Sequence, residues 1–175
     1  GGNSYGAADR AESLRALALA EERGCNFVDT AMVYGDSEQV LGEFLPGRRE
    51  RWLVASKYSG QPEGMRATLE AQLRRLHCEH LDFYQVHWMP SRSEGKLFDE
   101  LLALKAAGLV RAVGVSLKTA ADIKRLLDAP RGYGIPNEQL SVVKEGEEGY
   151  VRGSVDELVE LIRKEDAEVS KIIKD

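Results

Sequence analysis

Cysteine is almost absent from this sequence. Cys25 and Cys78 lie far apart, and neither falls in a CxxC or other metal-ligand spacing. A disulfide framework and a thiolate metal centre are thereby excluded, and free thiols in a reducing compartment are expected. Cys25, which leads into an apolar stretch, reads as a small core hydrophobe. Long apolar runs are missing too, and none approaches the ~20 residues of a membrane span. The opening Gly1-Gly2-Asn3-Ser4-Tyr5 has no basic region and no apolar core, so it does not read as a secretory leader. It also lacks Met, and the chain is expected to begin partway through a gene. Basic charge is in deficit: 24 Lys and Arg stand against 29 Asp and Glu, a net charge of −5. Phosphate binding along a nucleic acid needs a basic face, so no such partner is expected. A GxGxxG turn is absent after every apolar run, which argues against a doubly wound dinucleotide fold.

What is present is ordinary for a globular protein: 43% hydrophobic and 30% charged residues in a chain long enough to bury a sizeable core. Helical and strand patterns alternate. Residues 8–23 place Leu14, Leu17 and Ala18 at helical spacing, and Gly24 supplies the stop. Phe27-Val28 forms a short apolar strand that ends in Asp29. Asp36 with Gln39 three residues on predicts a capped helix through Val40, Leu41 and Phe44. Trp52–Ser56 is a buried strand ending at Lys57. Pro62 opens a helix with the stripe Met65, Leu69, Leu73 and Leu76. Leu81–Val86 is a strand ending at His87. Leu97–Ala107 is a helix closed by Gly108, and Val110–Val115 a strand ending at Ser116. Thr119 and Asp122 cap a further helix. Short strands alternating with amphipathic helices predict a parallel α/β fold. After residue 129 the rhythm fails. Residues 130–153 are rich in Gly, Pro and charge, with one short strand possible at Leu140–Val143. Ser154 and Glu157 then start an amphipathic helix to the end.

The residue that follows each strand carries the chemistry. Asp29, Lys57, His87 and Ser116 end four apolar runs, and in a parallel barrel the C-terminal strand ends converge on one mouth. Tyr34, five residues past Asp29, can lean into the same mouth. Tyrosine is a weak acid with a free pKa near ~10, and an adjacent ammonium favours its phenolate. Lys57 can play that part, with Asp29 pairing it, while His87 donates a hydrogen bond to a substrate oxygen. A positioned acid plus a polarising donor suits carbonyl reduction. None of these residues carries a hydride, so a cofactor has to supply it. No metal is expected. His77 and His80 read as surface residues, and Tyr58 as a packing residue.

Phe27-Val28-Asp29-Thr30-Ala31-x-x-Tyr34-Gly35, followed by Ser37-Glu38 and Leu41-Gly42, resembles the signature segment of aldo-keto reductases. Ala55-Ser56-Lys57, Leu81-Asp82-Phe83-Tyr84-Gln85-Val86-His87-Trp88 and Gly108 through Ser116 resemble later segments in the same order. The resemblance implies a partial (β/α)8 TIM barrel of about four to five βα units over residues 1–129. Residues 130–153 are then an irregular linker and residues 154–175 a C-terminal amphipathic helix. It implies an NADP-dependent oxidoreductase that reduces small aldehydes or ketones with NADPH, and a cytoplasmic one. Tyr34 becomes the general acid, tuned by Lys57 and Asp29. His87 orients the carbonyl, and Trp88 faces substrate with Tyr34 and His87. Asp29 and Ser116 become cofactor-binding, Ser116 through the nicotinamide carboxamide. Members often carry Asn after that serine, where this chain has Leu117.

The resemblance also implies what is missing. Gly1-Gly2 looks like the end of the family's first strand, and the last units, which hold the cofactor's phosphates, have no counterpart in residues 130–175. A fragment with impaired activity and open sheet edges that self-associate is therefore expected. The alternative is a non-catalytic remnant or interaction module. No membrane partner is expected.

Overall fold

The computed structural model describes residues 8–88, 96–117, 119, 121, 122 and 125. The chain divides into two compact units, one of Gly1–Trp88 with Lys96–Ser116 and one of Met89–Gly95 with Leu117–Asp175. In the first, helices and strands alternate: α1 (Arg10–Glu22), β1 (Phe27–Asp29), α2 (Ser37–Phe44), β2 (Leu53–Tyr58), α3 (Met65–Leu76), β3 (Leu81–Val86), α4 (Lys96–Ala106) and β4 (Val110–Val115). In the second, Thr119 Oγ1 accepts the Asp122 N–H at 3.1 Å, the cap expected there. The expected strand at Leu140–Val143, the helix from Ser154 and the strand end at Gly1-Gly2 lie outside the described residues.

Local chemistry starts and stops these elements. Asp9 Oδ1 accepts the Glu12 N–H at 2.8 Å and caps α1. Asp36 precedes α2, but its side chain makes no capping bond. Its backbone, at φ −93° and ψ 11°, is outside the extended region from which a cap side chain reaches back to the first turn. The helix entry is tied instead by Ser37 Oγ and Thr30 Oγ1, 2.6 Å apart. Pro62 opens a 3-10 turn, Pro62–Gly64, that runs into α3. The stripe expected on α3, Met65, Leu69, Leu73 and Leu76, is buried throughout.

The four strands among the described residues are parallel and lie in the order β1-β2-β3-β4. Each new strand adds on the same side of the last. A doubly wound sheet reverses direction at a switch point, and a barrel does not. Alternation along the strands separates two faces. Val54, Ser56, Tyr84 and Val86 belong to the buried face, where Tyr84 Oη reaches Gln72 of α3 at 2.7 Å. Helix α3 packs on β2, and α4 packs on β3 and β4. The opposite face carries Phe27, Leu53, Ala55, Lys57, Phe83 and Gln85 in register. Phe27 and Leu53 remain 49% and 40% exposed there, so this face keeps apolar surface open at the β1 side. Among the described residues, β1 and β4 each pair on one side only.

At the N-terminal end of the sheet, Asp82 is buried and ties three strands. Its carboxylate accepts Arg49 Nη2 at 2.8 Å, the Val54 N–H at 2.9 Å and Arg111 Nη1 at 2.9 Å. His80, expected on the surface, is only a quarter exposed beside this cluster. Burial first, and then the Arg49 and Arg111 charges, hold its pKa below the usual histidine value. Cys25 departs in the other direction, being exposed rather than in the core. It occupies the turn after α1, where its N–H bonds to Ala20 O at 2.9 Å.

Helices α2 and α3 approach closely at Gly42, where a Cβ would overlap the Arg75 carbonyl oxygen. That neighbour is helix backbone and cannot move aside cheaply. Gly42→Ala is expected to destabilise the fold by about 1–3 kcal/mol, the usual range for overpacking. Urea unfolding of the two proteins, compared at equal slope, measures it.

Candidate active site

The site is built on a buried ammonium. Lys57, near the C-terminal end of β2, is 4% exposed. A charge at that depth is tolerated only when it is paired and hydrogen-bonded. Its Nζ forms an ion pair with Asp29, the last residue of β1, and donates to Thr30 O at 2.9 Å. Pairing with β2 continues past the end of β1: the Thr30 N–H donates to Ala55 O at 2.9 Å and the Met32 N–H to Lys57 O at 3.5 Å. The chain then turns, with the Tyr34 N–H on Ala31 O at 3.0 Å and the Ser37 N–H on Tyr34 O at 3.3 Å. Tyr34 is thus set in a short turn between β1 and α2.

That turn brings Tyr34 to His87. The Tyr34 Oη lies 3.3 Å from His87 Nε2, and the rings meet edge to face at 5.5 Å between centroids. Lys57 Nζ stands 5.1 Å from the centroid of the Tyr34 ring. His87 follows β3 directly, and its N–H extends the sheet to Tyr58 O at 2.9 Å. Only 7% of it is exposed. Its Nδ1 is 3.1 Å from Ser59 Oγ. Trp88 stacks on His87 with centroids 4.3 Å apart and rings within 5° of parallel, leaving its outer surface open. Ser116, one strand further, is half-buried, and its N–H donates to Val86 O at 2.8 Å.

Asp29, Tyr34, Lys57 and His87 therefore form one connected cluster at the C-terminal end of the sheet. Trp88 joins it through His87, and Ser116 sits at the same end of the neighbouring strand. The cluster combines a phenol, an imidazole and an ammonium around one point, with a carboxylate balancing the ammonium. Such a set can hold and deliver a proton to an oxygen. Tyr58, the neighbour of Lys57, has a different part. Its Oη donates to Gln61 O at 2.5 Å, and burial raises its pKa, which suits the packing role expected of it.

Beneath the cluster runs a network that the sequence did not announce. Glu38 of α2 is buried and accepts Ser56 Oγ at 2.9 Å, Gln72 Nε2 at 2.6 Å, and Arg75 Nε and Nη2 at 2.8 and 2.6 Å. Gln72 Nε2 also reaches Lys57 O at 3.4 Å, and Gln72 Oε1 accepts Tyr84 Oη. Ser59 was missed as well. Its signal was spacing: two residues past Lys57, it shares that lysine's side of an extended chain. For Glu38 the signal was weak, because a glutamate in the first turn of a helix reads as a solvated dipole partner.

The sequence profile of the aldo/keto reductase family matches residues 1–142. This chain belongs to that family. Methylglyoxal reductase YeaE of Escherichia coli is 37% identical over 139 residues, which cover 77% of this chain and 49% of that protein. The chloroplastic pyridoxal reductase of Arabidopsis thaliana is 31% identical over 170 residues, covering 82% of this chain and 47% of that one. Among solved structures, an aldo/keto reductase from Klebsiella pneumoniae in complex with NADP and acetate superimposes with a TM-score of 0.60 at 31% identity. That match covers 67% of this chain and 43% of the other. The chain spans about half the length of the curated relatives it matches, and the four parallel strands described above form part of an aldo/keto reductase barrel.

The Glu38 network makes a stability prediction. Glu38→Ala removes the acceptor of Arg75, Gln72 and Ser56 together. Breaking a buried pair from one side costs about 3–5 kcal/mol, and because Arg75 is one-third exposed the lower end is expected. Urea denaturation measures it, and a loss below about 1 kcal/mol would show that water replaces the carboxylate.

Proposed function

We propose that this chain carries the carbonyl-reducing centre of an NADPH-dependent aldo/keto reductase. The observation that carries this reading is the Tyr34 Oη at 3.3 Å from His87 Nε2, beside the buried Lys57 ammonium. In this reading a carbonyl oxygen binds between Tyr34 and His87. His87 Nε2 orients it, and Tyr34 Oη gives up its proton to it as the alcohol forms. The phenolate left on Tyr34 is stabilised by Lys57, whose position Asp29 and the Thr30 carbonyl hold. Trp88, stacked on His87 with an open outer surface, offers an aromatic wall to the substrate.

The donor set fits a nicotinamide cofactor. It contains a proton donor, a polarising imidazole and an ammonium, but no group able to give two electrons. When bound, NADPH supplies the hydride to the carbonyl carbon. Ser116 and Asp29 would hold its nicotinamide end, since both are accessible at the strand ends. The family match and a relative's complex with NADP support this choice. Two relatives are named for the reduction of methylglyoxal and pyridoxal, which are both aldehydes. Small aldehydes are accordingly the substrates proposed, with ketones of similar size next. The acidic composition and widely separated free thiols suit a cytoplasmic protein.

Half-length coverage favours one second reading, a non-catalytic interaction module that keeps part of the barrel. The two readings part on cofactor binding. We expect the isolated chain to bind NADPH weakly, with a Kd of about 1 mM, and to self-associate through the outer edges of β1 and β4. Fluorescence titration with sedimentation measures both properties. An absence of binding at millimolar cofactor would favour the second reading, whereas micromolar binding by a monomer would mean that residues 130–175 supply a phosphate site.

Catalysis itself is tested at Tyr34. Tyr34→Phe keeps the ring against His87 and removes the proton. Turnover of methylglyoxal, read as NADPH oxidation, is expected to fall ~10²–10⁴-fold. Unchanged turnover would exclude Tyr34 as the acid.

A further inference from the structure

His87 has a named partner near each ring nitrogen. A neutral imidazole carries one N–H and one lone pair, and the partners decide which nitrogen holds the hydrogen. Nε2 faces Tyr34 Oη at 3.3 Å, and Nδ1 faces Ser59 Oγ at 3.1 Å. The two tautomers are not equivalent across a proton-transfer cycle. A phenol can accept a hydrogen bond from Nε2–H, and the phenolate left after transfer accepts it more strongly. With the hydrogen on Nδ1, the bare lone pair of Nε2 would face the phenolate, and the contact would become repulsive. The Nε2–H tautomer serves both states of Tyr34. It leaves Nδ1 as an acceptor that needs a donor, and the Ser59 hydroxyl is in place to be that donor.

Ser59 is held by its surroundings. Its N–H points at Met32 Sδ, 3.4 Å away in the loop that follows β1. The next residues wrap around the Tyr58 ring, whose Oη donates to Gln61 O at 2.5 Å. Tyr58 is 3% exposed and cannot swing out without opening the core. Gly60 lies against that ring so closely that a Cβ would overlap the phenol oxygen and its ring carbon. Glycine at position 60 and the Tyr58–Gln61 bond together fix the turn that presents Ser59 to the imidazole.

We propose that Ser59 is a positioning residue for His87: its Oγ–H donates to Nδ1 and keeps the hydrogen on Nε2, aimed at Tyr34 Oη and the substrate oxygen. The direction assigned to this bond rests on the proton-transfer reading of Tyr34. The test reads the ring without turnover, so the two can fail separately.

The experiment is nitrogen-15 NMR of the histidine-labelled chain, correlating ring nitrogens with carbon-bound ring protons. The chain has three histidines, and His87 is assigned by the signals lost in His87→Gln. In the unmodified chain we expect a lone-pair-type shift at Nδ1 and an N–H-type shift at Nε2. In Ser59→Ala the two shifts are expected to move toward each other as the tautomers mix. Ser59→Thr keeps the hydroxyl and restores the original pattern. Gly60→Ala, which leaves both Ser59 and His87 chemically intact, is expected to reproduce the mixing by displacing the turn. Backbone amide dispersion in the same samples reports that each variant is folded. An N–H-type shift at Nδ1 in the unmodified chain, or an unchanged His87 pattern in Ser59→Ala, overturns the proposal. Neither result touches the effect of Tyr34→Phe on turnover, which tests the reductase reading by itself.

Discussion

A buried ammonium cannot be left alone, and much of the site follows from satisfying Lys57. With only 4% of its surface in water, it needs an anion and an acceptor within reach. Asp29 and the Thr30 carbonyl meet that need, and both lie where β1 ends. The requirement therefore sets where β1 stops relative to β2, and which way the following loop leaves the sheet. Tyr34 rides on that loop, so the distance from the phenol to His87 depends on the lysine being paired. Asp29 is the exposed member of the pair, 42% open at its side chain. The anion thus keeps much of its hydration while the cation gives up nearly all of its own.

The two ends of the sheet divide the labour. At the N-terminal end, Asp82 is surrounded by Arg49, Arg111 and the Val54 N–H, and its acceptor sites are taken up by protein. Those contacts tie β2, β3 and β4 together. At the C-terminal end Tyr34 and His87 meet beside Lys57, and Trp88 remains accessible. Between the ends, the Glu38–Gln72–Tyr84 network links α2 and α3 to the helix-facing side of β2 and β3. Charge is buried on both sides of the sheet. Among the described residues, phenol, imidazole and ammonium are arranged around a common point at the C-terminal end.

Much of this was legible in the sequence. Apolar runs ending in Asp29, Lys57, His87 and Ser116 indicate parallel strands with a polar end, because a strand buried on both faces has few other places for charge. The α3 stripe was readable because Met65, Leu69, Leu73 and Leu76 recur at the helical period. What escaped depends on partners distant in the chain. Glu38 is buried only because Ser56, Gln72 and Arg75 converge on it from β2 and α3. Cys25 looked apolar by type and by its neighbours, yet a turn position outweighed that preference. Asp36 carries a capping side chain, but its backbone dihedrals turn it away, and Thr30 does the tethering through Ser37. In each case residue type gave an average expectation, and backbone geometry or a long-range partner decided the outcome.

The register of the sheet bears on how the chain assembles. Phe27 meets Leu53, Ala55 meets Phe83 and Leu81 meets Val110, so every pairing closes a loop of roughly 30 residues. Loop-closure entropy grows only with the logarithm of length, so the three closures cost nearly the same. Among the described strands, each has its sequence neighbour as partner. Each βα unit can dock on its predecessor as soon as it leaves the ribosome. Vectorial growth of this kind makes the order of translation and the order of assembly the same.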